Sequence, residues 1–250
     1  MPVISSVTPN QGASGTTVTI TGTGFTTVTE VTFGGRPVPF TIVNSTTIVA
    51  IVPTLCCGQS EVRVAAGPAW SNGVPFFYIC PPKCREVRPD SGPAAGGTTV
   101  TIYGSGLATA TSVAFGPNAA TPTVVSDSQL TVTSPALSFV NCTETVDVVI
   151  TTAGGTSCAE CGCCRFTYFN APTVTSITPD SGSGCTTITL TGTCLLNVSE
   201  VTFSGTPAAF TSISSTVLTA TVPSGLAPGT YAVVVVTPGG STAPVTFTVL

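Results

Sequence analysis

The side chains with the most chemical potential in this sequence are its cysteines. There are eleven in 250 residues, and there is no histidine. A mixed Cys/His zinc site is therefore excluded, and so is any catalytic triad that relies on an imidazole base. The densest segment is Cys158-Ala-Glu-Cys161-Gly-Cys163-Cys164. Its spacing allows a thiolate metal site of zinc or iron–sulfur type. It equally allows a disulfide-bonded hairpin loop, with Cys56, Cys57, Cys80 and Cys84 as further partners. A β-rich chain with this many cysteines reads as a disulfide framework from an oxidising compartment, so no metal or other cofactor is expected.

Other routes to catalysis are poorly supplied. A Ser–Lys pair would need Lys83, the only lysine, which stands in an expected linker beside Pro81 and Pro82. Asp90 and Asp180 each occupy Pro-Asp-Ser-Gly, where aspartate is favoured as a turn former. Glu30 and Glu200 occupy equivalent strand starts and are expected to be solvated. The glycines from Gly92 to Gly97 lack the Lys-Ser/Thr of a phosphate loop. The chain is accordingly not expected to be an enzyme. Trp70, the single tryptophan, stands in the expected loop Pro68-Ala69-Trp70-Ser71-Asn72 and is the one binding candidate. It is placed either to stack on a sugar or anchor a receptor, or to cover one end of its domain. Three Asn-x-Ser/Thr triplets begin at Asn44, Asn141 and Asn197, a pattern common by chance in a Ser/Thr-rich chain.

Charge is scarce. Six basic and ten acidic residues make up 6% of the chain, against about a quarter in ordinary domains. Without a basic cluster, nucleic acid is not an expected partner. Weak mutual repulsion favours self-association, although Thr and Ser hydroxyls can also simply solvate such a surface. The longest apolar stretches, such as Val233 to Val236, fall far short of the roughly 18 residues a spanning helix needs, so no membrane insertion is expected. The opening Met1-Pro2-Val3-Ile4-Ser5-Ser6 does not read as a signal peptide.

An internal repeat determines how these residues are positioned. Ser6-Val7-Thr8-Pro9 recurs as Glu86-Val87-Arg88-Pro89 and as Ser176-Ile177-Thr178-Pro179. Each is followed by a glycine turn and then by a run in which Thr alternates with an aliphatic residue: Thr16 to Ile20, Thr98 to Ile102, Thr186 to Leu190. That period of two marks a half-buried strand. An aromatic strand closes each unit, at Phe76 to Tyr78, Phe166 to Phe169 and Val245 to Phe247. A repeat of this length suits a whole β-sandwich rather than a solenoid turn. The expectation is all-β: three tandem immunoglobulin-like sandwiches of about seven strands over 1–80, 81–169 and 170–250, forming an elongated rod.

The opening Pro-x-x-Gly turn, the Gly-Thr-Thr-Val-Thr-Ile strand and the following Thr-Gly-x-Gly-Phe resemble the IPT/TIG family of immunoglobulin-like domains, three times over. The resemblance implies the fold and leaves function open. The third unit departs from it, with Cys185 in place of Gly15 and Cys194 in place of Gly24.

Strand alternation in such a sandwich places the cysteines. Cys56 and Cys57 point towards the second domain, and Cys158, Cys161, Cys163 and Cys164 point back. With Cys80 and Cys84 of the linker, all eight are expected at one junction. Cys142 and Cys194 are expected to bond across the second junction. Cys185 is left over, a candidate cross-link to another molecule. The favoured function is a structural subunit of an extracellular assembly: a fibre, a spore or cell appendage, or a virion decoration. The alternative is a surface adhesin that binds a glycan or receptor.

Overall fold

A computed structural model describes residues 1–55, 57–158 and 164–250. Three β-sandwiches follow one another with the same topology. The first defines the pattern. Its strands are β1 (Val3–Thr8), β2 (Gln11–Gly12), β3 (Thr17–Thr23), β4 (Glu30–Phe33), β5 (Arg36–Pro37), β6 (Phe40–Asn44), β7 (Thr47–Ile51), β8 (Gly58–Ala66), β9 (Ala69–Trp70) and β10 (Val74–Tyr78). One sheet has the order β1-β3-β7-β6. The other runs β2-β10-β8-β4-β5, with β9 added on β8. Pairing is antiparallel except between β2 and β10. The seven expected strands are present, and three two-residue strands join them. Lys83 lies in a strand rather than in a linker, because Lys83–Arg88 opens the second sandwich.

The alternation in sequence becomes alternation in space. Along β3, Val18 and Ile20 are fully buried and the intervening threonines face outward. Val100 and Ile102, then Ile188 and Leu190, repeat the arrangement. Between the sheets of each domain two phenylalanines meet edge to face. Phe33–Phe76 and Phe115–Phe166 have ring centroids 5.3 Å apart, and Phe203–Phe247 5.8 Å. This geometry sets the positive ring edge against the negative face and adds about 0.5–1.5 kcal/mol beyond area burial.

The glycine of the Thr-Gly motif is a packing residue as well as a sequence mark. A Cβ on Gly22 would stand 2.0 Å from the Val3 carbonyl oxygen; on Gly104, 2.1 Å from that of Lys83; on Gly192, 1.8 Å from that of Thr173. Each contact lies where the first strand bulges, between Ile4 and Ser6 and at the two equivalents. The bulge lets the first strand approach its neighbour more closely than any side chain permits. A second repeated device sits at the far end of the long strand. Buried Ser71, Ser157 and Thr242 accept hydrogen bonds from the amides of Val64, Ile150 and Val235 at 2.9–3.1 Å.

Domain two adds a buried phenol. Tyr168 packs on Phe166, and its hydroxyl donates to the Pro135 carbonyl at 2.9 Å. Burial pushes its pKa up from 10.0 to about 12. The neutral form belongs to the folded state, so the contribution of this group to stability is complete below about pH 10. It is lost as pH climbs from 10 towards 12. A spectrophotometric alkaline titration should show a late tyrosine ionisation near pH 12. In Tyr168→Phe that late step should be missing.

Candidate functional site

The cysteines gather at the joints between sandwiches. Cys57 bonds Cys80 with Cα atoms 5.5 Å apart, and Cys84 bonds Cys164 at 6.2 Å. Cys158 is also disulfide-bonded. Cys57, Cys80, Cys84 and Cys158 line one hollow with Pro81 and Pro82 at the first junction. Cys56, Cys161 and Cys163 lie outside the described residues. Cys57–Cys80 closes the end of the first domain, and Cys84–Cys164 ties the first strand of the second domain to the residue that precedes its last strand; neither crosses the joint. Among the described residues no three of Cys, Asp and Glu group as a metal site.

Contact across the joints is made by backbone. A Cβ on Gly154 would stand 1.9 Å from the Cys80 carbonyl oxygen, and one on Gly239 2.1 Å from that of Asn170. These are equivalent hairpin residues, each held by a threonine hydroxyl that accepts its amide: Thr152 for Gly154 at 3.1 Å, Thr237 for Gly239 at 3.2 Å. The first domain has Pro68 at this position. The second joint alone is crossed by a described disulfide, Cys142–Cys194, with Cα atoms 5.1 Å apart.

Cys194 has φ 54° and Cys185 φ 70°, in the left-handed region occupied by Gly24 and Gly15 in the first domain. A non-glycine residue there costs on the order of 1–2 kcal/mol. For Cys194 the bond to Cys142 offsets that cost. Cys185 is exposed and free.

Trp70 is on β9, paired with Ala65 of β8, and not in a loop. It does not cap the sandwich, being 42% exposed on the outer face of the larger sheet. It lines a groove of about 630 Å³ with Glu30, Thr32, Gln59, Ser60, Glu61 and Arg63, and Gly34 and Gly35 complete the lining. Register explains the set. Glu30 lies opposite Ala65 and Thr32 opposite Arg63, so alternate residues of β4 and β8 share one face. Thr32 and Ala65 lie on this outward face yet are only 3% and 2% exposed, and Thr32 lines the groove. Arg63 is fixed in the wall by two bonds to one oxygen of Glu61, at 3.1 and 2.8 Å. Behind Trp70 the chain is clamped. Asn72 exchanges two hydrogen bonds of 3.0 Å with the backbone of Ile4, and Ser71 is held by the Val64 amide.

Glu30 is thus a groove residue and not merely a solvated strand start. Sequence inspection passed over it along with Thr32, Gln59, Glu61 and Arg63. A signal was available. Strand register sets Glu61, Arg63 and Trp70 against Asp147, Val149 and Thr156 of the second domain and Ala232, Val234 and Ser241 of the third. Only the first domain combines the three.

The architecture and its repeated motifs define tandem immunoglobulin-like sandwiches. The family model for the IPT/TIG domain matches residues 2–78, 82–168 and 172–249. The chain belongs to the IPT/TIG domain family. It is 27% identical over 192 residues to Fibrocystin-L of Homo sapiens, covering 71% of this chain and 4% of that protein. To Fibrocystin-L of Mus musculus it is 32% identical over 111 residues, 42% of this chain and 3% of that protein. This chain therefore spans a small fraction of the length of these relatives. Among solved structures, a protein crystallised with a xylogluco-oligosaccharide aligns over 99% of this chain and 60% of its own, at 18% identity and TM-score 0.46. The plexin A4 extracellular region aligns over 100% and 34%, at 18% identity and TM-score 0.37.

Removing the Cys142–Cys194 bond should loosen the third domain. Cys142→Ser leaves Cys194 in a left-handed backbone without its bond, and calorimetry should show a loss of about 2–4 kcal/mol. Adding Cys194→Gly should regain about 1 kcal/mol of it.

Proposed function

We propose that this chain is an extracellular binding module that holds a glycan in the groove beside Trp70, and that it performs no catalysis. The observation that carries the reading is an exposed tryptophan over a preformed groove walled by polar side chains. An indole face covers the apolar face of a sugar ring. The carboxylates, the Gln59 amide and the Ser60 hydroxyl pair with ring hydroxyls. Clamping through Ser71, Asn72 and the Glu61–Arg63 pair limits the ordering cost of binding. Disulfides support an extracellular or surface setting, since they persist in oxidising compartments. No helix of the described residues is long and apolar enough to cross a membrane.

A second reading, a subunit of a fibre, appendage or virion surface, rests on the exposed free thiol of Cys185. Exposed aliphatics support it: Val43 and Val125 in the outer edge strands of the first two smaller sheets, and Ile213 just past that of the third. Uncharged edge strands are templates for pairing with other chains.

Trp70 is the only tryptophan, so its fluorescence reports on the groove directly. Glycan binding should shift the emission of the native chain. Trp70→Ala should weaken binding on a glycan array or by calorimetry by about 2 kcal/mol, roughly 30-fold. Unchanged binding in that variant would remove Trp70 as the site. For the second reading, assemblies of native protein should fall apart in boiling denaturant without reductant once Cys185→Ser is introduced. Assemblies that persist would show that Cys185 is not the link.

A further inference from the structure

The groove beside Trp70 does not end at Ser60. A second hollow of about 460 Å³ is lined by Gly34, Arg36, Thr54, Leu55 and Ser60. Gly34 and Ser60 belong to both. The two adjoin at the β4–β5 turn and form one bent channel: the first part lies on the outer face of the larger sheet, and the second lies round the turn, where Arg36 is paired with Phe33 of the inner face. From Ala65, beneath Trp70, to Ser60 is five residues of β8, roughly 17 Å at strand rise. The second hollow extends the path across the β4–β5 turn. Such a length exceeds a single sugar ring several times over. Both hollows are open to solvent rather than enclosed. The turn permits the passage because Gly34 and Gly35 carry no side chains and adopt φ of 56° and 78°.

The charges along the channel are Glu30, Glu61, Arg63 and Arg36, two of each sign. Arg63 is committed to Glu61. Arg36 gives one N–H to the Thr54 carbonyl at 2.5 Å. With no net charge, the channel has no field to draw a polyanion, and Glu30 opposes a uronate beside Trp70. Hydroxyl-rich, uncharged ligands match this mixture of donors and acceptors.

We infer that the ligand is a neutral polysaccharide held by its interior, with Trp70 stacking on one ring and the Arg36 hollow holding rings several units further along. This rests on the reading of the Trp70 groove as a glycan site. It adds the length and charge class of the ligand, and it confines recognition to the first domain. In the second domain Thr156 and Asn118 stand at the positions of Trp70 and Arg36, and in the third Ser241 and Thr206.

The test is calorimetry on the full chain with neutral glucan, xylan and mannan oligosaccharides, from disaccharide to octasaccharide, and an oligogalacturonate ladder as the acidic control. For at least one neutral series, affinity should rise ~tenfold or more with length and then level off. Arg36→Ala should lower that plateau and leave the shortest binders unchanged, and Arg36→Lys should recover part of it. Binding that depends on Trp70 but is independent of length would keep the groove and overturn the extended chain. Tighter binding of the acidic ladder would overturn the neutral class. No binding to any ladder, with no change in Trp70 emission, would overturn both this inference and the glycan reading beneath it.

Discussion

In each sandwich a backbone carbonyl occupies the space a side chain would need, and much of the domain follows from that contact. Val3 against Gly22, Lys83 against Gly104 and Thr173 against Gly192 bring the first strand of each domain onto its sheet neighbour, β3 in the first domain, at a bulge. The bulge shifts the register by one residue, which lets Ile4 and Val7 both reach the core although they are three apart. The smaller sheet then packs on the larger around an edge-to-face phenylalanine pair. A methyl group at Gly22 would have to displace a strand, not a flexible side chain, and that explains why the motif keeps glycine in all three units.

The same logic builds the joints. Gly154 and Gly239 meet the carbonyls of Cys80 and Asn170 at distances that exclude a Cβ. Where the hairpin has such a neighbour it carries glycine, and in the first domain it carries Pro68. Close backbone contact resists sliding without needing a large apolar interface, which suits a chain with little charge and small hydrophobic residues. Cys142–Cys194 adds a covalent tie at the second joint. The first joint concentrates cysteines, but its described bonds seal the adjoining domain ends.

Much of this architecture was legible because it repeats. The Thr–aliphatic alternation, the glycine turns and the closing aromatic strands each occur three times, so strands and domains could be placed from period alone. Direction was legible too: alternation of strands put Cys142 and Cys194 at one joint, where they are bonded. The groove was not legible in that way, because it departs from the repeat. Its residues come from β4, β8 and β9, separated in sequence and joined only by register. Trp70 looked like a loop residue because Gly67 and Pro68 precede it, and a two-residue strand leaves no periodic trace. The buried state of Thr32 was hidden as well, since alternation assigns it to solvent and only its neighbours on β8 and β9 cover it.

The departures from the repeat also divide labour among the domains. A position that is free to vary drifts without pattern, whereas here the changes cluster. The first domain gathers Trp70, Arg63 and Glu61 on one sheet face, where the others have mostly small or aliphatic residues. The third domain instead replaces two left-handed glycines by cysteines, a change that costs backbone energy at both positions. At Cys194 the expense has a visible return in the bond to Cys142. At Cys185 nothing within the chain provides one, since its backbone is left-handed, its side chain is exposed and its sulfur is free. On the proposed reading, recognition belongs to the first domain, while the exposed free thiol belongs to the third, with the second domain between them in sequence.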